Sequence, residues 1–153
     1  MSVRAVHVQL QDPAAVAELL QRMRATVRDI AGAVVASHDG LVVASDIDPV
    51  VEVAANETVG RRSRSAPEDT AHKTSAMAAV AAGLGAQFTQ AAGSGTMQAV
   101  TFEGNRGCTG VFPLTSALLL VLIGAPQVTM GRFVVASKQA LAAMLGPQPD
   151  TQR

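Results

Sequence analysis

Residues 70–92 read as one helix of mostly small residues, with two stripes along it at helical spacing. Met77, Val80, Leu84 and Phe88 are large and apolar, whereas Ser75, Ala78, Ala82, Gly85 and Thr89 share the spacing and include nothing large. A helix of a globular domain turns one apolar stripe to the core. The large stripe therefore predicts the core-facing side, and the small stripe is left for something else. Gly83 and Gly85 each cost about 1 kcal/mol relative to Ala inside a helix. Close approach of a second backbone to the small stripe would offset that cost. The competing account is compositional: an alanine-rich helix in an alanine-rich chain, with no partner.

The remaining elements follow from local signals. Asp12-Pro13 opens a first helix, with an acceptor at the cap and proline at the first helical position. Its apolar stripe is Val16, Leu19, Leu20, Met23, Val27 and Ile30, and Gly32 reads as the stop. The runs 33–37 and 41–46 flank His38-Asp39-Gly40, a hairpin signal. Residues 47–64 read as a long connection, which is uncommon and usually mobile or functional. Ser65 and Glu68 fit a capping box for the second helix, expected from Ala66 to Gly93. Three strands follow: Met97 to Glu103, Cys108 to Leu114 beyond the turn Gly104-Asn105-Arg106-Gly107, and Leu118 to Ile123. The last is apolar on both faces, so it is expected at the centre of the sheet. Thr129 caps a third helix with Phe133, Val134, Leu141, Met144 and Leu145 on its apolar face, ended by Gly146-Pro147.

The order helix-strand-strand-helix-strand-strand-strand-helix predicts an α+β fold with a single five-stranded antiparallel sheet flanked by three helices. The domain spans 13–146. Residues 1–12 form an N-terminal extension in which Val6, Val8 and Leu10 alternate, as an edge strand or a tail. Residues 147–153 form a polar tail.

Chemistry is sparse. His7, His38 and His72 are scattered, and no metal-ligand spacing of His or Cys occurs. Asp46 and Asp48 flank Ile47 without the glycine and distal glutamate of a calcium loop. Gly93-Ser94-Gly95 follows a helix and precedes a strand, the reverse of a phosphate cradle. The run Arg61-Arg62-Ser63-Arg64 precedes Glu68 and Asp69 and reads as a solvated charged loop. The lone Cys108 falls in a strand, where a small buried hydrophobe is expected. Only Cys108 or His72 could be nominated for catalysis, so the expectation is no enzyme and no cofactor or metal.

Twelve basic and twelve acidic residues cancel, against a nucleic-acid or anionic-membrane surface. With no Trp or Tyr and four Phe, stacking platforms are nearly absent. The longest apolar run, 117–125, is too short to span a bilayer. A cytoplasmic protein without membrane insertion is expected. The positive signals point to protein interaction: the small helix stripe and an edge strand at 97–103, since exposed edges commonly pair.

Several stretches resemble the roadblock / dynein light chain family, including its bacterial MglB-like and actinobacterial conservon B-type members. They are AGAVVASHDGLVVASD (31–46), AHKTSAMAAVAAGLGAQF (71–88) and ALLLVLIGAPQVTMGRFVVASKQALAAML (117–145). The high alanine content suits a high-GC actinobacterial source. The resemblance implies a non-catalytic regulator that forms dimers by pairing third strands edge to edge, with second helices side by side above the seam. It also implies binding to a small Ras-like GTPase. Carried onto this chain, it makes strand 97–103 and helix 66–92 the interface, with Ser75, Ala78, Ala82, Gly85 and Thr89 on the helix and Met97, Ala99, Thr101 and Glu103 on the strand. The connection 47–64 is longer than the family's usual few residues, and residues 1–12 precede its usual start. The alternative function class is a small-molecule-sensing PAS-like module. It would require an internal pocket with convergent polar groups, and few polar residues fall at core positions.

Overall fold

The computed structural model describes residues 10, 12–49, 51 and 67–146. The capping box at Ser65, the run Arg61-Arg62-Ser63-Arg64, most of the connection 47–64, the alternation of Val6 with Val8 and the tail 147–153 lie outside the described residues. Among the described residues the order is α1 (Pro13–Thr26), β1 (Ile30–Ser37), β2 (Val42–Ile47), α2 (Pro67–Ala91), β3 (Val100–Gly104), β4 (Gly107–Pro113), β5 (Leu118–Gly124) and α3 (Met130–Leu145). The five strands form one antiparallel sheet in the order β2-β1-β5-β4-β3. This is the α+β architecture expected from the sequence, with β5 at its centre.

Side chains alternate across a strand, and the strand registers sort them into two layers. Val35, Leu120, Leu122, Phe112 and Cys108 pack with Val16, Leu20 and Met23 of α1 and with Phe133, Ala136, Ala140 and Met144 of α3. Val34, Val111, Leu119 and Val121 point the other way, toward Ala71, Ala78 and Ala82 of α2. The sheet is thus covered by α1 and α3 on one face and by α2 on the other.

The signals at the helix ends act as expected, with one exception. The Asp12 carboxylate accepts from the Ala14 N–H, and the Thr129 hydroxyl accepts from the Arg132 N–H. Gly146 follows the last turn of α3 at positive φ. Gly32, in contrast, stops no helix. α1 ends at Thr26, and Gly32 sits inside β1 between the cross-strand neighbours Ile47 and Ile123. A Cβ there would lie 3.2 Å from Ile123 Cδ1 and 3.4 Å from Ile47 Cγ2, so packing rather than helix termination accounts for the glycine. Val27 and Ile30 are buried beyond the helix end, which is why they extended the sequence stripe. β3 is also shorter than expected. It begins at Val100, and Met97 is a buried loop residue rather than part of the strand.

The orientation of α2 reverses the sequence expectation. Met77, Val80, Leu84 and Phe88 are 71%, 71%, 64% and 72% exposed, whereas Ser75, Ala78 and Ala82 are 0%, 2% and 6% exposed. The small stripe lies on the chain's own sheet, and the large stripe faces outward. The physical reason is the sheet. Its α2 face is already filled by Val and Leu side chains, so a close-packed interior accepts only a helix with small residues beneath it. A Cβ on Gly85 would collide with Met97 Sδ and lie 2.6 Å from Val100 Cγ2. The β1–β2 turn also reaches α2: a Cβ on Gly40 would lie 3.3 Å from Ala76 Cα. Gly83, on the open side, would meet nothing within 4 Å.

Candidate functional site

The catalytic and metal nominees do not converge. His38 and His72 are exposed on different elements. Arg24 holds Asp46 at 2.9 Å and Asp48 at 3.8 Å, an ion-pair cluster that fastens α1 to the end of β2. Among the described residues no group of three or more His, Cys, Asp or Glu is placed to hold a metal ion. Cys108 is buried, and burial, with Glu103 adding a lesser effect, pushes its thiol up, away from the thiolate a nucleophile needs. Asp39 in the β1–β2 turn accepts from the Ser37 hydroxyl, which holds its exposed carboxyl below the usual range. That bond organises a turn. No helix among the described residues is long and apolar enough to cross a membrane.

Two features do form a coherent surface. The first is the outward stripe of α2. Single exposed apolar residues are ordinary, whereas Met77, Val80, Leu84 and Phe88 form a row of four large ones along one helix face. The second is β3, an edge strand whose outer side has no neighbour in the sheet among the described residues. Gly104 and Gly107 face each other across the two-residue turn Asn105-Arg106. Residues flanking a two-residue turn exchange both backbone hydrogen bonds, and bonded and non-bonded pairs then alternate along the ladder. Phe102 and Val100 therefore bond inward to Thr109 and Val111, and the N–H and C=O groups of Thr101 and Glu103 point away from β4.

The two features adjoin each other. Gly85 of α2 stands over Val100, so the helix covers the start of β3. Phe102, on the same face two residues on, is uncovered and 52% exposed. It borders an open groove lined by Val51, Thr109, Ile123 and Gln127, where α2 does not cover the sheet.

Of the residues expected at an interface, Ala99, Thr101 and Glu103 are exposed along the β3 edge. Ser75, Ala78, Ala82 and Met97 are buried within the chain, and Gly85 is pressed against Met97 and Val100. These five are packing residues, because the subunit's own sheet occupies the space assigned to a partner. Thr89 is half-buried, and its hydroxyl donates to the Ala86 carbonyl. Phe102 carries no expectation from the sequence, and the large α2 stripe is expected on the core side and not outward. The signal that could have found them is the apolar run of β5, which with Val34 of β1 and Val111 of β4 leaves little room for a helix with large residues underneath.

Comparison with solved structures places this architecture. A roadblock/LC7 domain from Streptomyces avermitilis superposes with a TM-score of 0.62 at 18% identity, covering 84% of this chain and 90% of that one. This is the roadblock/LC7 fold. Myxococcus xanthus MglB gives a TM-score of 0.62 at 11% identity, covering 88% of this chain and 92% of that one. The gliding protein MglB of Thermus thermophilus gives 0.60 at 17% identity, covering 84% of each chain. No family model and no curated protein sequence matches this chain. In the roadblock fold described here, α2 and β3 are the elements that form the apolar surface.

Proposed function

We propose that this chain is a non-catalytic regulator that forms a homodimer through α2 and β3 and binds a small Ras-like GTPase. The observation that carries the reading is the outward row of Met77, Val80, Leu84 and Phe88. A second copy offers the same row, so one two-fold contact would bury both. The outward backbone groups of Thr101 and Glu103 support the same contact, since an edge strand finds its complement in another edge. The likeness in fold to MglB proteins, one of them described in a tetrameric arrangement, supports an assembling protein. The GTPase is the partner implied by the roadblock resemblance of the sequence. The scattered histidines and the buried, raised Cys108 thiol support a role without catalysis.

Size-exclusion chromatography with light scattering tests the first half. The expected result is twice the chain mass of 15.7 kDa for the wild type, and the chain mass for Leu84→Asp with unchanged circular dichroism. A wild type that stays monomeric at high concentration defeats the dimer. Titration calorimetry with a purified small Ras-like GTPase from the same genome tests the second half. Saturable heat is expected with the GTP-analogue form, and none in either nucleotide state defeats the GTPase assignment.

A further inference from the structure

β2 ends the sheet on the side opposite β3, and its outer side has no neighbour in the sheet among the described residues. The Asp48 N–H donates to the Ala31 carbonyl, and that pair continues the β1–β2 register. Bonded and non-bonded pairs alternate along an antiparallel ladder. Ala44 and Asp46 therefore bond inward to β1, and the N–H and C=O groups of Ser45 and Ile47 point to the free edge. Ala44 faces the α1 layer, and Asp46 on the same face meets Arg24 of α1. An edge with a row of outward backbone groups is a template for one more strand.

We propose that residues 4–9 of the same chain, which lie outside the described residues, pair with the free edge of β2 as a sixth, antiparallel strand, with Val6 opposite Ala44 and Arg4 opposite Asp46. Three observations meet in it. Leu10 is buried in the α1 layer and lines an apolar groove with Pro13, Leu41, Val43 and Leu118, so the chain enters the domain beside the start of β2. α1 begins at that end, and its Arg24 meets Asp46 at the other, so α1 runs along β2 in the same direction. A segment that leads into Leu10 along the β2 edge is then antiparallel to β2, and 4–9 matches the six residues of β2 in length. The third observation is alternation. Arg4, Val6, Val8 and Leu10 share one face of a strand, and Leu10 fixes that face toward α1. Val6 then covers Ala44, Val8 points to the groove at Val43, and Arg4 joins the acidic end of β2 formed by Asp46 and Asp48. Opposite charges facing each other across strands are favourable. The capping involves one chain only and stands whether or not two copies associate. With β2 capped, β3 is the edge left for another chain, which stops copies from adding along the sheet without end.

Amide hydrogen exchange followed by NMR, on the full chain and on a chain lacking residues 2–9, reads the edge directly. The Ser45 and Ile47 amides are expected to be protected in the full chain and to lose that protection in the deletion, while Ala44 and Asp46 keep theirs through β1. Fast exchange of Ser45 and Ile47 in the full chain overturns the proposal. Protection that survives the deletion overturns it too, because something other than residues 4–9 then covers the edge. Cysteine cross-linking decides the matter if the deletion unfolds the subunit. In a Cys108→Ala background, Ala5→Cys is combined with Ser45→Cys or with Ile47→Cys, oxidised mildly and mapped by peptide mass. Ala5 and Ser45 form a bonded pair in the proposed register, about 5.5 Å apart at Cα and inside the disulfide range. Ser45 is exposed, so its cysteine leaves the core unchanged. A link from 5 to 45 within one chain is expected, and none from 5 to 47. A 5-to-47 link without the 5-to-45 link overturns the register, and a link only between chains, or none in either variant, overturns the capping.

Discussion

Gly83 and Gly85 are two residues apart in one helix, yet they ask for opposite treatment. Gly83 faces open space, so Gly83→Ala has only the helix-propensity gain and should stabilise by about 1 kcal/mol. Gly85 lies against Met97 and Val100, so a methyl there forces the flexible Met97 and the stiff Val100 to shift. Gly85→Ala should destabilise by about 1–3 kcal/mol, as overpacking does. Urea unfolding of the two variants measures both signs, and a gain for Gly85→Ala would show that α2 stands further from the sheet. Ser75 belongs to the same interface: its hydroxyl is fully buried and has no hydrogen-bond partner among the described residues. An unmade buried bond costs about 1–3 kcal/mol, so Ser75→Ala should raise the urea midpoint.

At the scale of elements, β3 separates its two hydrogen-bonding sides. Proline at 101 removes an outward N–H, and edge strands tolerate such a proline. Proline at 102 removes an N–H that bonds to β4. Thr101→Pro should leave the circular dichroism of the subunit intact while abolishing dimers, and Phe102→Pro should lower the melting temperature of the subunit itself. Equal loss of fold in both would contradict the alternation drawn from the Gly104-to-Gly107 turn. That turn was legible in the sequence because Gly-Asn-Arg-Gly carries its own conformational preference. So were the Asp12 and Thr129 caps and the central place of Leu118–Gly124, each set by residues a few positions apart or by a strand apolar on both faces. Gly32 reads as a helix stop in the sequence because a glycine's signal is the same whether it ends a helix or admits Ile47 and Ile123 from neighbouring strands.

On the scale of the whole molecule, four large apolar side chains stand exposed on one helix face, a surface that the proposed dimer would bury. The proposed dimer would form from the folded state alone, so the melting temperature of the wild type should rise with protein concentration. Leu84→Asp should flatten that dependence, and a flat wild-type dependence would mean that the stripe stays exposed in solution. By itself, the sequence determined the element order, the α+β class, the central strand and the edge character of β3, because these follow from propensity, turn chemistry and hydrophobic period along the chain. Which stripe of α2 meets the sheet was decided only by the tertiary structure. Both stripes have the same period, and periodicity carries no information about which side has room. Space beneath the helix is set by Val34, Val111, Leu119 and Val121, contributed by β1, β4 and β5, none of them next to α2 in sequence, and their volume admits only the small face.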